Sequence, residues 1–254
     1  MPNLFAGKRT AACYDAARGL PEETFRLWRD VLREGIPIAE VGSVLDLGGG
    51  TGRFAGMLVE TFDCPVHVVD PSGEMLKQGR ARRLPRITFE RASAERLPAA
   101  DGAYDVIWMS NVFHHLEGKP AAFREVHRVL RPGGHLAVRN GTQETDRAIL
   151  WKRFFPETLA FDEGRIPERN DIQETATGQG FVLIKRRLVH QRFAESARDY
   201  AEKIGARGLS SLIGIPDEAF TAGVQRLREW AAAQPPDEPV NEPIDIWFFR
   251  KARQ

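Results

Sequence analysis

Short apolar runs alternate with amphipathic stretches along the first half of the chain, and their order predicts a layered α/β fold. Residues 44–47, 66–69, 87–90, 104–109 and 135–140 read as five strands. The run at 104–109 is almost continuously apolar, as expected of a central parallel strand covered on both faces. Helical spacing fills the gaps. Phe25, Leu27, Trp28, Val31 and Leu32 make a stripe within residues 10–34, a helix starts at Arg53, and Met75 and Leu76 share one side of a short helix. Phe123, Val126, Val129 and Leu130 mark another over 120–130, stopped by Arg131-Pro132-Gly133-Gly134. Strands alternating with helices imply a parallel sheet with helices on both faces.

From Gly141 the pattern changes. Residues 145–155 read as a helix carrying Trp151, Phe154 and Phe155, 173–178 as a second, and 181–193 as a sixth strand. Residues 195–233 are helical, interrupted by Gly205, Gly208 and Gly214, and the proline-rich stretch 235–239 is a stiff linker. It returns the chain to a last strand within 243–250. One domain is expected: an N-terminal helical cap (10–34), a core (41–140), and insertions over 141–240 around the sixth strand. Those insertions add nothing to the sheet, so they are expected to form a helical lid. Trp151 and Phe155 then either pack the lid or line a pocket beneath it.

The chemistry concentrates after the first strand. Asp46 is followed by Gly48, Gly50 and Gly52, and the glycines let the backbone turn sharply against a ligand with no Cβ in the way. A dinucleotide fingerprint would put its third glycine at position 53, where this chain has Arg53. The second strand ends in Asp70, at the distance from the loop where an acid reaches the ribose hydroxyls of an adenosine.

The spacing Asp46-x-Gly48-x-Gly50-x-Gly52 resembles the first motif of class I S-adenosylmethionine-dependent methyltransferases. Arg128-Val129-Leu130-Arg131-Pro132-Gly133-Gly134 and the His114-His115 pair are similar to the small-molecule, type-11-like (UbiE-like) members. The resemblance covers residues 10–140. It implies a Rossmann-like seven-stranded sheet, mostly parallel with an antiparallel last strand, and S-adenosylmethionine as cofactor. Its cofactor-binding residues map onto Asp46, Gly48, Gly50, Asp70, Pro71, Met75, Ser110 and His115. Tyr14 and Arg18, in the family's Tyr-Asp-x-x-Arg arrangement, would fold over the cofactor's amino-acid end. Ser93 and Ala94 would hold adenine, although Ser93 stands where the family's loop carries Asp, so the side-chain contact loses its charge. His115 is the candidate acceptor-side base, and Trp151, Phe155 and Arg139 the candidate substrate pocket. The implied reaction is in-line methyl transfer to a small-molecule acceptor, with oxygen or nitrogen favoured. The alternatives are a non-catalytic protein that binds the same cofactor and a nicotinamide-dependent oxidoreductase.

Composition narrows the partners. Lysine and arginine number 36 against 35 acidic residues, which gives no electrostatic case for nucleic acid or a membrane surface. No run of about 18 apolar residues is present. Two cysteines, Cys13 and Cys64, have no metal-ligand spacing, and neighbouring histidines on an extended backbone point apart. The expectation is a cytoplasmic protein without metal. Its oligomeric state is not readable.

Overall fold

The computed structural model describes residues 18–252, and Tyr14 and Cys13 lie outside that range. Within it the strands β1 (Val44–Leu47), β2 (Val66–Asp70), β3 (Ile87–Arg91), β4 (Tyr104–Ser110), β5 (Leu130–Asn140), β6 (Phe181–Ala194) and β7 (Val240–Lys251) form one sheet. Its order is β3-β2-β1-β4-β5-β7-β6. β1 pairs in parallel with both β2 and β4, and β7 runs antiparallel to both β5 and β6. This is the mixed, mostly parallel sheet that the family resemblance implies. The order reverses between β1 and β4, so a crevice opens at the carboxyl ends of these two strands.

Alternation along the strands explains why both faces are apolar. Val44, Val68, Trp108, Ile246 and Phe248 bury one face against α1 (Glu22–Gly35) and α2 (Ala55–Phe62). Leu45, Ile107, Met109, Leu136, Trp247 and Phe249 bury the other. That second face packs on α4 (Lys119–Val129) and α7 (Arg169–Thr177), through side chains such as Phe123 and Ile172. Between α2 and α4 the chain also makes α3 (Gly73–Ala81). The short elements α5 (Gln143–Asp146) and α6 (Thr158–Asp162) precede α7.

Two local readings change. Extended backbone begins at Leu130, ahead of the expected strand, because residues 131–134 are absorbed as an irregularity opposite Tyr104 and Val106, with Gly133 at φ 79°. Residues 145–155 are not one helix. A Thr142–Thr145 capping box starts α5, which ends at Asp146, and residues Leu150–Phe154 follow as a 3-10 turn. Lys152 holds that turn by ion pairs to Asp146 and Asp162. These partners are supplied by tertiary structure.

The helices α8 (Ala197–Gly205), α9 (Ser210–Ile213) and α10 (Asp217–Ala232) break at the glycines expected to interrupt them. With the 3-10 turn they enclose a third apolar core of their own, including Trp151, Phe155, Tyr200, Leu212 and Leu227. This layer stands over the carboxyl end of β5, because Tyr200 reaches Glu242 at the start of β7.

Candidate active site

The glycine loop is pinned to the end of β2. Gly48 N–H donates to the Val69 carbonyl at 2.7 Å, and Gly48, Gly50 and Gly52 all sit at positive φ, between 58° and 71°. Asp70 is 9% exposed, and its two carboxylate oxygens accept separately from Gly50 N–H (3.0 Å) and Ser72 N–H (2.8 Å). Burial raises its carboxyl above the usual range, and those two N–H groups pull it back down. Each oxygen keeps a lone pair, so the carboxylate retains capacity for a ligand's hydroxyls. Met75 closes the loop's other side, since a Cβ on Gly50 would lie 3.2 Å from its methyl. Pro71 is exposed beside Asp70, and its carbonyl accepts from Arg91.

Asp46 is placed differently from Asp70. It is 2% exposed and lies beneath the loop, where a Cβ on Gly49 would come within 2.6 Å of its carboxyl. Its Oδ2 is buried, with no hydrogen-bond partner among the described residues. Burial, then the nearby Asp70 charge, lifts its pKa to about 7, against a smaller opposing pull from Arg53. Asp46 therefore supports the loop from below. Ser93 is exposed in a tight turn closed by Arg96 N–H on its carbonyl, whereas Ala94 is buried beside it.

Beyond the loop lies a cavity of about 140 Å³. Arg18, Arg139, Glu242 and Gln191 form its polar floor, while Trp151, Phe193, Ile149, Leu209 and Ile244 supply apolar wall. Arg139 is 2% exposed and stacks its guanidinium 4.9 Å from the Trp28 ring and 5.2 Å from the Phe54 ring. It donates to Ser110 Oγ (2.9 Å) and to Gln191 Oε1 (2.8 Å). Ser110 is thereby engaged as an acceptor at the end of β4. Asn111 follows in the left-handed region at φ 57°, which its short polar side chain tolerates, and its N–H donates to the Arg139 carbonyl.

Three expectations about this cavity need correction. The histidine on its wall is His114, and His115 is not among the lining residues. The pair sits on a 3-10 turn, Phe113–His115, so the two rings do not point apart but stand 4.0 Å from each other. Burial, then the Arg18 and Arg165 charges, lowers the His115 pKa to about 4, which makes it a poor base. His114 is pushed well below its ordinary value by burial, then by His115 and the same arginines. Phe155 is fully buried in the helical layer's core, edge-on to Trp151, tilted against Phe220 and pressed on Gly223, and it is not among the residues that line the cavity. Trp151 does line it.

Glu242, Gln191 and Asn111 were not singled out from sequence. Asn111 follows an apolar strand, the one local signal available. The other two meet only because antiparallel register sets Gln191 opposite Glu242.

Comparisons with known proteins agree on one family. Residues 44–134 match the family described as a methyltransferase domain. The chain is 40% identical over 153 residues to the ubiquinone/menaquinone biosynthesis C-methyltransferase of Rubrivivax gelatinosus, a match spanning 59% of each protein. It is 32% identical over 193 residues to a methyltransferase of Mycobacterium tuberculosis, across 76% of this chain and 74% of that one. Among solved structures, phosphoethanolamine N-methyltransferase 2 of Haemonchus contortus, in complex with S-adenosyl-L-methionine, shares the fold at TM-score 0.65 and 17% identity. That alignment covers 99% of this chain and 59% of the other. The cyclase SpnF aligns at TM-score 0.63 and 24% identity, over 91% of this chain and 82% of that one.

Proposed function

We propose that this chain, which belongs to the class I S-adenosylmethionine-dependent methyltransferases, moves the cofactor's methyl group to oxygen or nitrogen of a small molecule seated in the cavity beyond Arg139. The observation that carries the reading is Asp70, buried at the end of β2 and fixed by Gly50 and Ser72 N–H opposite a loop of left-handed glycines. That pairing fits an adenosine ribose, and no nicotinamide-type requirement at position 53 is met. The cofactor supplies a methyl already activated on sulfonium.

What the protein contributes is positioning. Gly48 and Gly50 let the backbone approach the cofactor, Asp70 holds its ribose, and buried Ala94 backs the adenine. Arg18, on the cavity floor, is suited to the carboxylate of its amino-acid end. The acceptor is held in line by the apolar wall around Trp151 and shielded from water by the helical layer. Orientation of this kind is worth roughly 7–11 kcal/mol. The segments 141–160 and 195–233 act as the lid. The compartment we take to be the cytoplasm, from cysteine usage. No helix among the described residues is long and apolar enough to cross a membrane.

Carbon is the second reading for the methylated atom, favoured by the Rubrivivax relative, whose name is that of a C-methyltransferase. The fold alone does not decide chemistry, since a cyclase shares it. The test is transfer of label from methyl-tritiated cofactor to small metabolites, with product structures read by mass spectrometry. Label that stays on the cofactor with every metabolite fraction, despite tight binding, would leave the non-catalytic alternative in place.

A further inference from the structure

Glu242 is a buried carboxylate outside the residues assigned above to the cofactor. It is 7% exposed and lies on the cavity floor at the start of β7, at the ligand end of the sheet. Tyr200, from α8, donates its hydroxyl to Glu242 Oε1 at 2.7 Å, and among the described residues it is the one donor to this carboxyl. Tyr200 is itself held by Trp151, whose backbone N–H donates to the phenol oxygen at 3.1 Å. Oε2 accepts from none of the described residues' side chains, and the cavity that Glu242 lines gives a second donor access to it. Facing it from the wall are Trp151, Phe193 and Ile244, which suit an apolar body.

We propose that Glu242 receives the proton of the acceptor, and that the acceptor is an apolar small molecule bearing an acidic hydroxyl, phenol or enol. The inference rests on the methyl-transfer reading and names the acceptor chemistry of that same site. As the acceptor oxygen attacks, its bond to the methyl carbon forms while the carbon–sulfur bond breaks and the electron pair stays on sulfur. The hydroxyl proton passes to Glu242 Oε2, so charge and atoms balance. Arg18 and Arg139, whose charges act on Glu242, stabilise the negative oxygen that develops.

The charged surroundings support such a base. Burial lifts the Glu242 pKa to about 7, and the Tyr200 hydrogen bond, Arg18 and Arg139 oppose that rise while Asp146 adds to it. Arg53, Arg165, Asp162 and His114 complete the ionisable groups around the cavity. A base poised near neutrality can both take and release a proton at working pH. His114 and His115 are both shifted down, which leaves the carboxylate as the stronger base in reach.

Phenol is a suitable probe, since its own pKa near 10 keeps it neutral across the range of interest. Its binding to the full chain saturated with S-adenosylhomocysteine is measured by calorimetry from about pH 5.5 to 8.5. The expected affinity rises as pH climbs through about 7, where Glu242 ionises, and then levels. Glu242→Gln is expected to bind phenol at least about tenfold more weakly at the upper end, with no pH dependence. Tyr200→Phe, which deletes the donor to Oε1, is expected to keep binding and move the midpoint upward. Wild type that fails to bind phenol, or binds it independently of pH, overturns the proposal. So does Glu242→Gln with wild-type affinity or, should that variant not fold, Tyr200→Phe with an unmoved midpoint. The same titration first reports S-adenosylhomocysteine. If that does not bind, the family-level function fails. If it binds and phenol behaves otherwise than stated, only the role of Glu242 fails.

Discussion

Replacing Asp70 by asparagine keeps the side chain's shape and removes its charge. In the wild type, one oxygen accepts from Gly50 N–H at 3.0 Å and the other from Ser72 N–H at 2.8 Å. An asparagine must turn its NH₂ toward one of these donors, so one loop contact becomes donor against donor. The group that remains also meets ribose hydroxyls without charge assistance. Hydrogen bonds to a charged partner are worth about 1.5–3 kcal/mol, against about 1 for neutral ones. Losing one and weakening another gives roughly 2–4 kcal/mol, or about thirtyfold to several hundredfold in affinity. Calorimetric titration with S-adenosylhomocysteine reads this directly, and a thermal melt confirms that the variant is folded. A folded Asp70→Asn protein whose Kd stays within about threefold of wild type would refute the ribose assignment and the geometry argued from it.

Two further outcomes follow from the same packing. Asp46 has its carboxyl raised from 3.8 to about 7 on folding. Between those values the native state holds the extra proton, so its contribution to stability is present at low pH and is lost as pH rises through about 7. Asp46→Asn removes that dependence and should gain on wild type between about pH 5 and pH 8, by at most about 3 kcal/mol. Urea denaturation at both pH values checks it, and a constant gap would show that the carboxyl is not desolvated. Phe155→Ala should cost about 3–5 kcal/mol of stability, because its ring is fully enclosed. Trp151→Phe should instead spare cofactor affinity and raise the acceptor's KM, and a variant pair behaving alike would erase the distinction drawn between wall and core.

The glycine loop was legible because its geometry is local. Glycines at 48, 50 and 52 adopt positive φ, and Asp70 follows the valine-rich run 66–69 that reads as a strand. Residues 244–249 likewise read as a last strand, as found in β7. The cavity beyond the loop was not legible, because its residues meet through long-range register. Gln191 and Glu242 are neighbours across β6 and β7, and no feature of either sequence neighbourhood marks them. The histidines were misjudged for a related reason. Divergence of adjacent side chains holds for extended backbone, and the 3-10 turn at Phe113–His115 brings His114 to the cavity wall. The aromatic cluster divided in the same way, with Trp151 facing the cavity and Phe155 sealed behind it by Gly223, which has no Cβ to obstruct the ring.

The central claim is that the loop, Asp70 and the cavity beyond Arg139 together move a methyl group to a small molecule. Its most direct test is incubation of the full chain with S-adenosylmethionine carrying a trideuteriomethyl group and with fractionated small metabolites, followed by mass spectrometry. The account predicts a metabolite that gains the labelled methyl in proportion to S-adenosylhomocysteine formed, with both signals falling together in Asp70→Asn. A protein that binds the cofactor tightly, yet forms no S-adenosylhomocysteine and labels no metabolite above a protein-free control, would contradict it.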